Sequence, residues 1–138
     1  MNKADLQQLY WLRIEIEELS MRIRKLESAL TGGISKLNGM PRAPGISDRI
    51  GEFVPEIVRL REMARSRLAE AVEELEKLEE FIGSIEDAQI RTVFRLRYVN
   101  CLSWQQVAVR LGGNTSDSVR MMHNRFLQRL KKENQLVS

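Results

Sequence analysis

The aliphatic series Leu9, Leu12, Ile16, Leu19, Ile23, Leu26 and Leu30 constrains this chain more than any other feature. Its steps alternate between three and four residues, which keeps every member on one face of an α-helix and on no single face of a strand. Arg and Glu fill many intervening positions, and no glycine or proline interrupts before Gly32. The spacing predicts one long amphipathic helix over about residues 3–31.

A second seam runs through Ile57, Leu60, Ala64, Leu68, Ala71, Leu75, Leu78 and Ile82, with Glu70, Glu73, Glu74, Glu76, Glu79 and Glu80 on the far, solvated face. Pro55 suits the first turn of this helix, because its missing N–H has no partner there anyway. Gly83 suits its end. Two helices with one apolar stripe each bury them most simply against each other, as a long antiparallel, coiled-coil-like hairpin. Pairing between two chains satisfies the same stripes. Four glycines and two prolines between Gly32 and Gly45 predict a connecting loop at about 32–51, with Met40-Pro41-Arg42 and Ser47-Asp48-Arg49 as its distinctive parts.

Beyond Gly83 the pattern shortens. Ser84-Ile85-Glu86-Asp87 reads as a helix entry, its acids favoured by the helix dipole. A helix over about 87–100 would bury Ile90, Val93, Phe94, Leu96 and Tyr98. Ser103-Trp104-Gln105-Gln106 fits a capping box, opening a short helix that packs Val107, Ala108 and Leu111. Gly112-Gly113-Asn114 makes a turn. Thr115 or Ser116 then caps a final helix reaching about Glu133, with Val119, Phe126 and Leu130 inward. The expectation is an all-α chain in two parts: a helical hairpin, 1–84, and a C-terminal helix-turn-helix domain, 85–138.

Charge separates the same two parts. Residues 1–84 carry 13 Lys/Arg against 15 Asp/Glu, net −2, while residues 85–138 carry 9 against 4, net +5. A basic segment of this kind points to an anionic partner. No apolar run approaches the roughly 20 residues that span a bilayer, and the start has no secretory layout. Cys101 is the single cysteine and His123 the single histidine, and neither has metal-ligand company. His123 is expected at the surface or lining a groove. Cys101 reads as a small core residue and Trp104 as an anchor for its helix. There is no phosphate-binding glycine loop with its lysine and no nucleophile–histidine arrangement. These features predict a cytoplasmic protein that is not an enzyme and needs no cofactor or metal.

A short capped helix, a glycine turn and a longer basic helix form a helix-turn-helix pattern. A second helix held this way can enter the major groove, about 12 Å wide, and bring side chains to base edges. Ser116, Asp117, Ser118, Arg120, Met121, Asn124 and Arg125 are the candidate readers, with Arg suited to guanine and Asn to adenine. Arg110, Arg129, Lys131 and Lys132 are candidates for phosphates, where they would add affinity without sequence preference.

The same segment resembles region 4 of bacterial sigma factors, whose pattern it meets with Leu96-Arg97-Tyr98, Leu102-Ser103-Trp104, Val107-Ala108, Leu111-Gly112, Val119-Arg120 and Leu127 with Leu130. The interval from Leu111 to Val119 exceeds the usual one by a single residue. The likeness covers about residues 85–132. The whole layout is similar to phage and prophage late-gene transcription regulators of the ArpU-like and RinA-like groups from low-GC Gram-positive bacteria. That resemblance implies a phage-encoded, duplex-DNA-binding regulator of phage genes, and the hairpin is expected to supply rigidity and a surface for self-association or for RNA polymerase. A homodimer follows from the gain of two half-sites over one. The competing expectations are a small-terminase-like DNA-packaging protein and a region-4-like RNA polymerase interaction module that reads no DNA.

Overall fold

The computed structural model describes residues 1–37 and 46–137, with side chains described for 1–32 and 51–134. The chain is all-α. In order, α1 is Lys3–Leu6, α2 Gln8–Leu37, α3 Ile46–Gly83, α4 Ala88–Phe94, α5 Trp104–Leu111 and α6 Ser116–Val137. A π-helical turn, Arg95–Val99, continues α4. Among the described residues no helix is long and apolar enough to cross a membrane.

Three local expectations change. Helix occupies both ends of the segment expected as a loop: Gly32 and Gly33 lie within α2, and Ile46–Gly51 within α3. Glycine weakens a helix by about 1 kcal/mol but keeps its N–H, so flanking helix can run through it. The Met40-Pro41-Arg42 part of that segment lies outside the described residues. Pro55 is inside α3 rather than in its first turn, and gives up one bond of the helical ladder there. The first helix, expected unbroken, divides at Gln7: an Asn2–Asp5 capping box opens the four-residue α1, and Gln7 closes it.

Packing forms two compact units, residues 12–71 and residues 1–11 with 72–138, a division that falls away from the 84/85 boundary in the sequence pattern. In the first unit, Leu12, Leu19, Ile57, Leu60 and Ala71 are buried, and Ile16, Ile23, Leu26 and Ala64 half-buried. Arg67 Nε donates to Glu15 Oε1 at 2.8 Å, and Arg61 pairs with Glu27. The order of these pairs sets the two helices in opposite senses.

The second seam is not the one expected. Leu68 is 56% exposed and Leu75 36% exposed, while Arg67 and Glu74 are half-buried. From Leu60 the inward positions run 60, 64, 67, 71, 74 and 78, a strict heptad path. Arg67 fits it because its aliphatic stem can lie along apolar surface while the guanidinium reaches an acid.

The other unit holds two buried clusters. One comprises Leu6, Leu78, Ile82, Ile85, Ile90, Phe94 and Tyr98, flanked by Met122, Phe126 and Leu127. The second is Val93, Val107, Ala108 and Val119, with Leu96, Leu102, Trp104 and Leu111 around it. Asp87 caps α4 through Gln89 and Ile90 N–H groups. The π turn ends at Val99 with Asn100 as its cap, and the next residue, half-buried Cys101, takes the left-handed region (φ 58°). Val119 thus seats α6 against α4 and α5, and this contact positions the surface described next.

Candidate nucleic-acid interface

Local chemistry fixes α5, the turn and the start of α6. Ser103 Oγ accepts from Gln106 N–H at 3.2 Å, and Gln106 Oε1 accepts from Ser103 N–H at 2.9 Å, closing the expected capping box. Gly112 (φ 70°, ψ 145°) and Gly113 (φ 67°) both take positive φ, which glycine adopts without the clash a Cβ brings. Asn114 Nδ2 donates to Gly112 O at 3.0 Å across the turn. Thr115 is the cap: its Oγ1 accepts from Ser118 N–H at 3.1 Å, and Ser118 Oγ accepts from Thr115 N–H at 3.0 Å.

Asp117, Arg120, Met121, Asn124 and Arg125 are all exposed on α6, as are Arg129, Lys131 and Lys132, and Arg110 is exposed on α5. Steps of three, four and seven place Asp117, Arg120, Met121, Asn124, Lys131 and Lys132 around one outward face. Ser116 and Ser118 are only half-buried rather than open. Ser118 is engaged by the cap, so its hydroxyl holds the helix start instead of facing outward. Gln128, exposed between Asn124 and Lys131 on the same face, belongs with this set although the sequence reading passed over it. The 3.6-residue period is the signal that finds it. Arg125, Gln128, Arg129 and Lys132 also line an open groove with Ile90 and Met122.

The electrostatics are local. Arg120 Nη2 donates to Asp117 Oδ1 at 2.8 Å, an exposed pair one turn apart. Such a pair contributes little stability but holds the guanidinium along the helix. Asp117 also lies in the first turn, where the helix dipole favours an acid. Half-buried Arg97 braces the start of α5: it donates to Leu102 O at 2.9 Å, and its guanidinium carbon lies 4.6 Å from the Trp104 ring centroid. Half-buried Trp104 is accordingly an anchor for α5.

His123 departs most from expectation, because it is fully buried. Its ring stacks on Phe94 with centroids 5.0 Å apart and meets the Trp104 ring edge-on at 4.9 Å. Position 123 follows Val119 by four residues, so it shares the inward face, and an aromatic enclosure accepts the flat ring. Both nitrogens are engaged. Nε2 is 2.5 Å from Tyr98 Oη, and Nδ1 is 3.0 Å from Asn124 Oδ1. Burial lowers the imidazole pKa, and Lys3 and Arg97 lower it further, against an opposing contribution from the Asn124 hydrogen bond. Burial also pushes the Tyr98 hydroxyl up to about 12.

Comparison of the chain with protein-family models, with curated proteins and with solved structures gives no match.

Proposed function

We propose that this chain is a sequence-specific, duplex-DNA-binding transcription regulator, with α5, the Gly112-Gly113-Asn114 turn and α6 working as a helix-turn-helix. The observation that carries the reading is the division of α6 into two faces. Val119 and His123 are buried against α4 and α5, while Arg120, Met121, Asn124, Arg125 and Lys131 face outward. An arginine, an asparagine and an apolar methionine on one accessible face can contact base edges, and the lysines farther along suit phosphates. The cationic groove of Arg125, Arg129 and Lys132 supports a phosphate track beside the helix. The likeness of the whole layout to phage and prophage regulators adds regulation of phage or prophage genes to this proposal, with RNA polymerase as a further partner.

A homodimer belongs to the same reading. The unit of residues 12–71 leaves Ile14, Met21, Val54, Val58 and Leu68 exposed, apolar surface that a second copy could cover. Two DNA-binding modules in one assembly would also raise affinity for paired half-sites.

The test is binding of the intact chain to duplex DNA in low salt, followed by footprinting and by its mass in solution. One protected promoter-proximal site and a dimer mass are expected. Absence of duplex binding refutes the proposal. A ring bound at packaging-initiation sequences would instead identify a packaging protein, and co-purification with RNA polymerase without DNA binding a polymerase-interaction module.

A further inference from the structure

The face of α6 contains one side chain whose polarity is set from beneath. Asn124 is exposed, yet its Oδ1 lies 3.0 Å from Nδ1 of the fully buried His123. A carbonyl oxygen only accepts, so Nδ1 carries the ring proton. Nε2 is then the lone-pair nitrogen, and it accepts from the Tyr98 O–H at 2.5 Å. The hydroxyl cannot ionise in the working pH range, since burial pushes it up to about 12. Tyr98 comes from the π turn and is itself buried. The direction of every hydrogen bond in the series Tyr98, His123, Asn124 is thereby fixed from the core outward.

We infer that this series makes Asn124 a hydrogen-bond donor to DNA, so that it selects a base presenting a major-groove acceptor and discriminates against cytosine. This rests on the DNA-binding reading above and specifies what one residue of that surface recognises. Bidentate reading of adenine needs both ends of the amide, Oδ1 accepting from N6–H and Nδ2 donating to N7. Here Oδ1 is turned to the imidazole, and the Nδ2 group is the end left for a ligand. Guanine O6 and N7, adenine N7 and thymine O4 all accept in the major groove, whereas cytosine offers its N4 donor. His123 and Tyr98 are positioning residues, since neither reaches the surface.

The experiment uses the full chain and duplexes selected from a random pool, with two readouts. The first is the imidazole tautomer from ¹⁵N resonances of the single histidine, which needs no DNA. The expected state is protonated at Nδ1 in the wild type and mixed in Tyr98→Phe. The second readout is relative affinity for the four bases at each selected position. Asn124→Ala and Tyr98→Phe should each lose roughly three- to tenfold discrimination at the same single base pair, the size of one hydrogen bond. Asn124→Asp, which replaces the donor by an acceptor, should shift preference at that pair toward cytosine.

An Nε2-protonated wild type overturns the inference. So does a folded Tyr98→Phe chain that discriminates as the wild type does, or an Asn124→Asp chain with unaltered preference at every pair. Should Tyr98→Phe fail to fold, the wild-type tautomer and the two Asn124 variants decide. A wild type that binds no duplex refutes the DNA reading and the acceptor assignment with it, while the tautomer still decides whether the ring holds Asn124.

Discussion

The Tyr98 hydroxyl and His123 Nε2 lie 2.5 Å apart in a fully buried setting, linking the π turn to the middle of α6. Neither group has water to fall back on, so each depends on the other. A buried polar atom left without a partner costs about 1–3 kcal/mol. Tyr98→Phe keeps the ring and its contacts with Phe94 but strands Nε2. Chemical denaturation of this variant should show a stability loss of that size, with an unchanged dependence on denaturant concentration. A neutral outcome would mean that the imidazole finds another donor.

The same burial gives the fold a pH dependence of known sign. The ordinary histidine value is 6.5, and His123 lies below it when folded, chiefly through desolvation. As pH falls past 6.5, the unfolded chain takes up a proton that the folded chain refuses. The stability contributed by neutral His123 is therefore fully present above about 6.5 and is lost as pH drops toward the depressed folded value. The slope cannot exceed about 1.4 kcal/mol per pH unit, the limit for one proton. No other histidine titrates in that window. Denaturation midpoints between pH 7 and pH 5 should fall in the wild type and stay flatter in His123→Gln. A wild-type midpoint that rises on acidification would contradict the burial of this ring.

What the sequence disclosed and what it concealed differ in range. The Ser103–Gln106 box, the Asp87 cap and the Gly112-Gly113 turn are interactions within about four residues, and each lies where local chemistry put it. The choice between Leu68 and Arg67 for the inward face is not local. Adjacent positions on a helix differ by about 100°, and the acid that the inward Arg67 meets, Glu15, lies 52 residues away. His123 is similar, since its enclosure comes from Phe94, Tyr98 and Trp104 on other segments. A lone histidine carries no local mark of such company. The segment expected as a loop was read from glycine and proline content, which lowers helix propensity without forbidding helix. On α6 the outward positions followed from the period alone, but the engagement of Ser118 in the cap required its geometry with Thr115.

The turn offers a third prediction. Gly112 combines φ 70° with ψ 145°, close to a region essentially restricted to glycine. No atom lies within 4 Å of an added Cβ, so the obstacle to a side chain is backbone conformation rather than space. Gly112→Ala should therefore cost about 1–3 kcal/mol. Gly113, at φ 67°, should lose less on substitution by Asn, which tolerates the left-handed region better than Ala. Thermal melts of Gly112→Ala, Gly113→Ala and Gly113→Asn should rank in that order, the first lowest. Equal melting of Gly112→Ala and wild type would show that the turn relaxes to another conformation.

The outward face of α6 carries the last prediction, a division of labour between Arg120 and Lys131. Both are exposed on the helix, but Arg120 lies near its N-terminal end and is held by Asp117, while Lys131 lies eleven residues farther along. A helix that enters a groove by its N-terminal end brings the first of these to bases and the second to phosphates. Arg120→Ala should weaken binding to the selected duplex by about 1–3 kcal/mol if its guanidinium forks onto a guanine, with little change on random DNA. Lys131→Ala should weaken both alike and reduce the slope of log affinity against log salt by about 1, the loss of one phosphate contact. Titrations of the two variants on selected and random duplexes, each at several salt concentrations, separate these effects. Equal losses on both DNAs for both variants would remove the division and leave α6 as a helix that holds DNA without reading it.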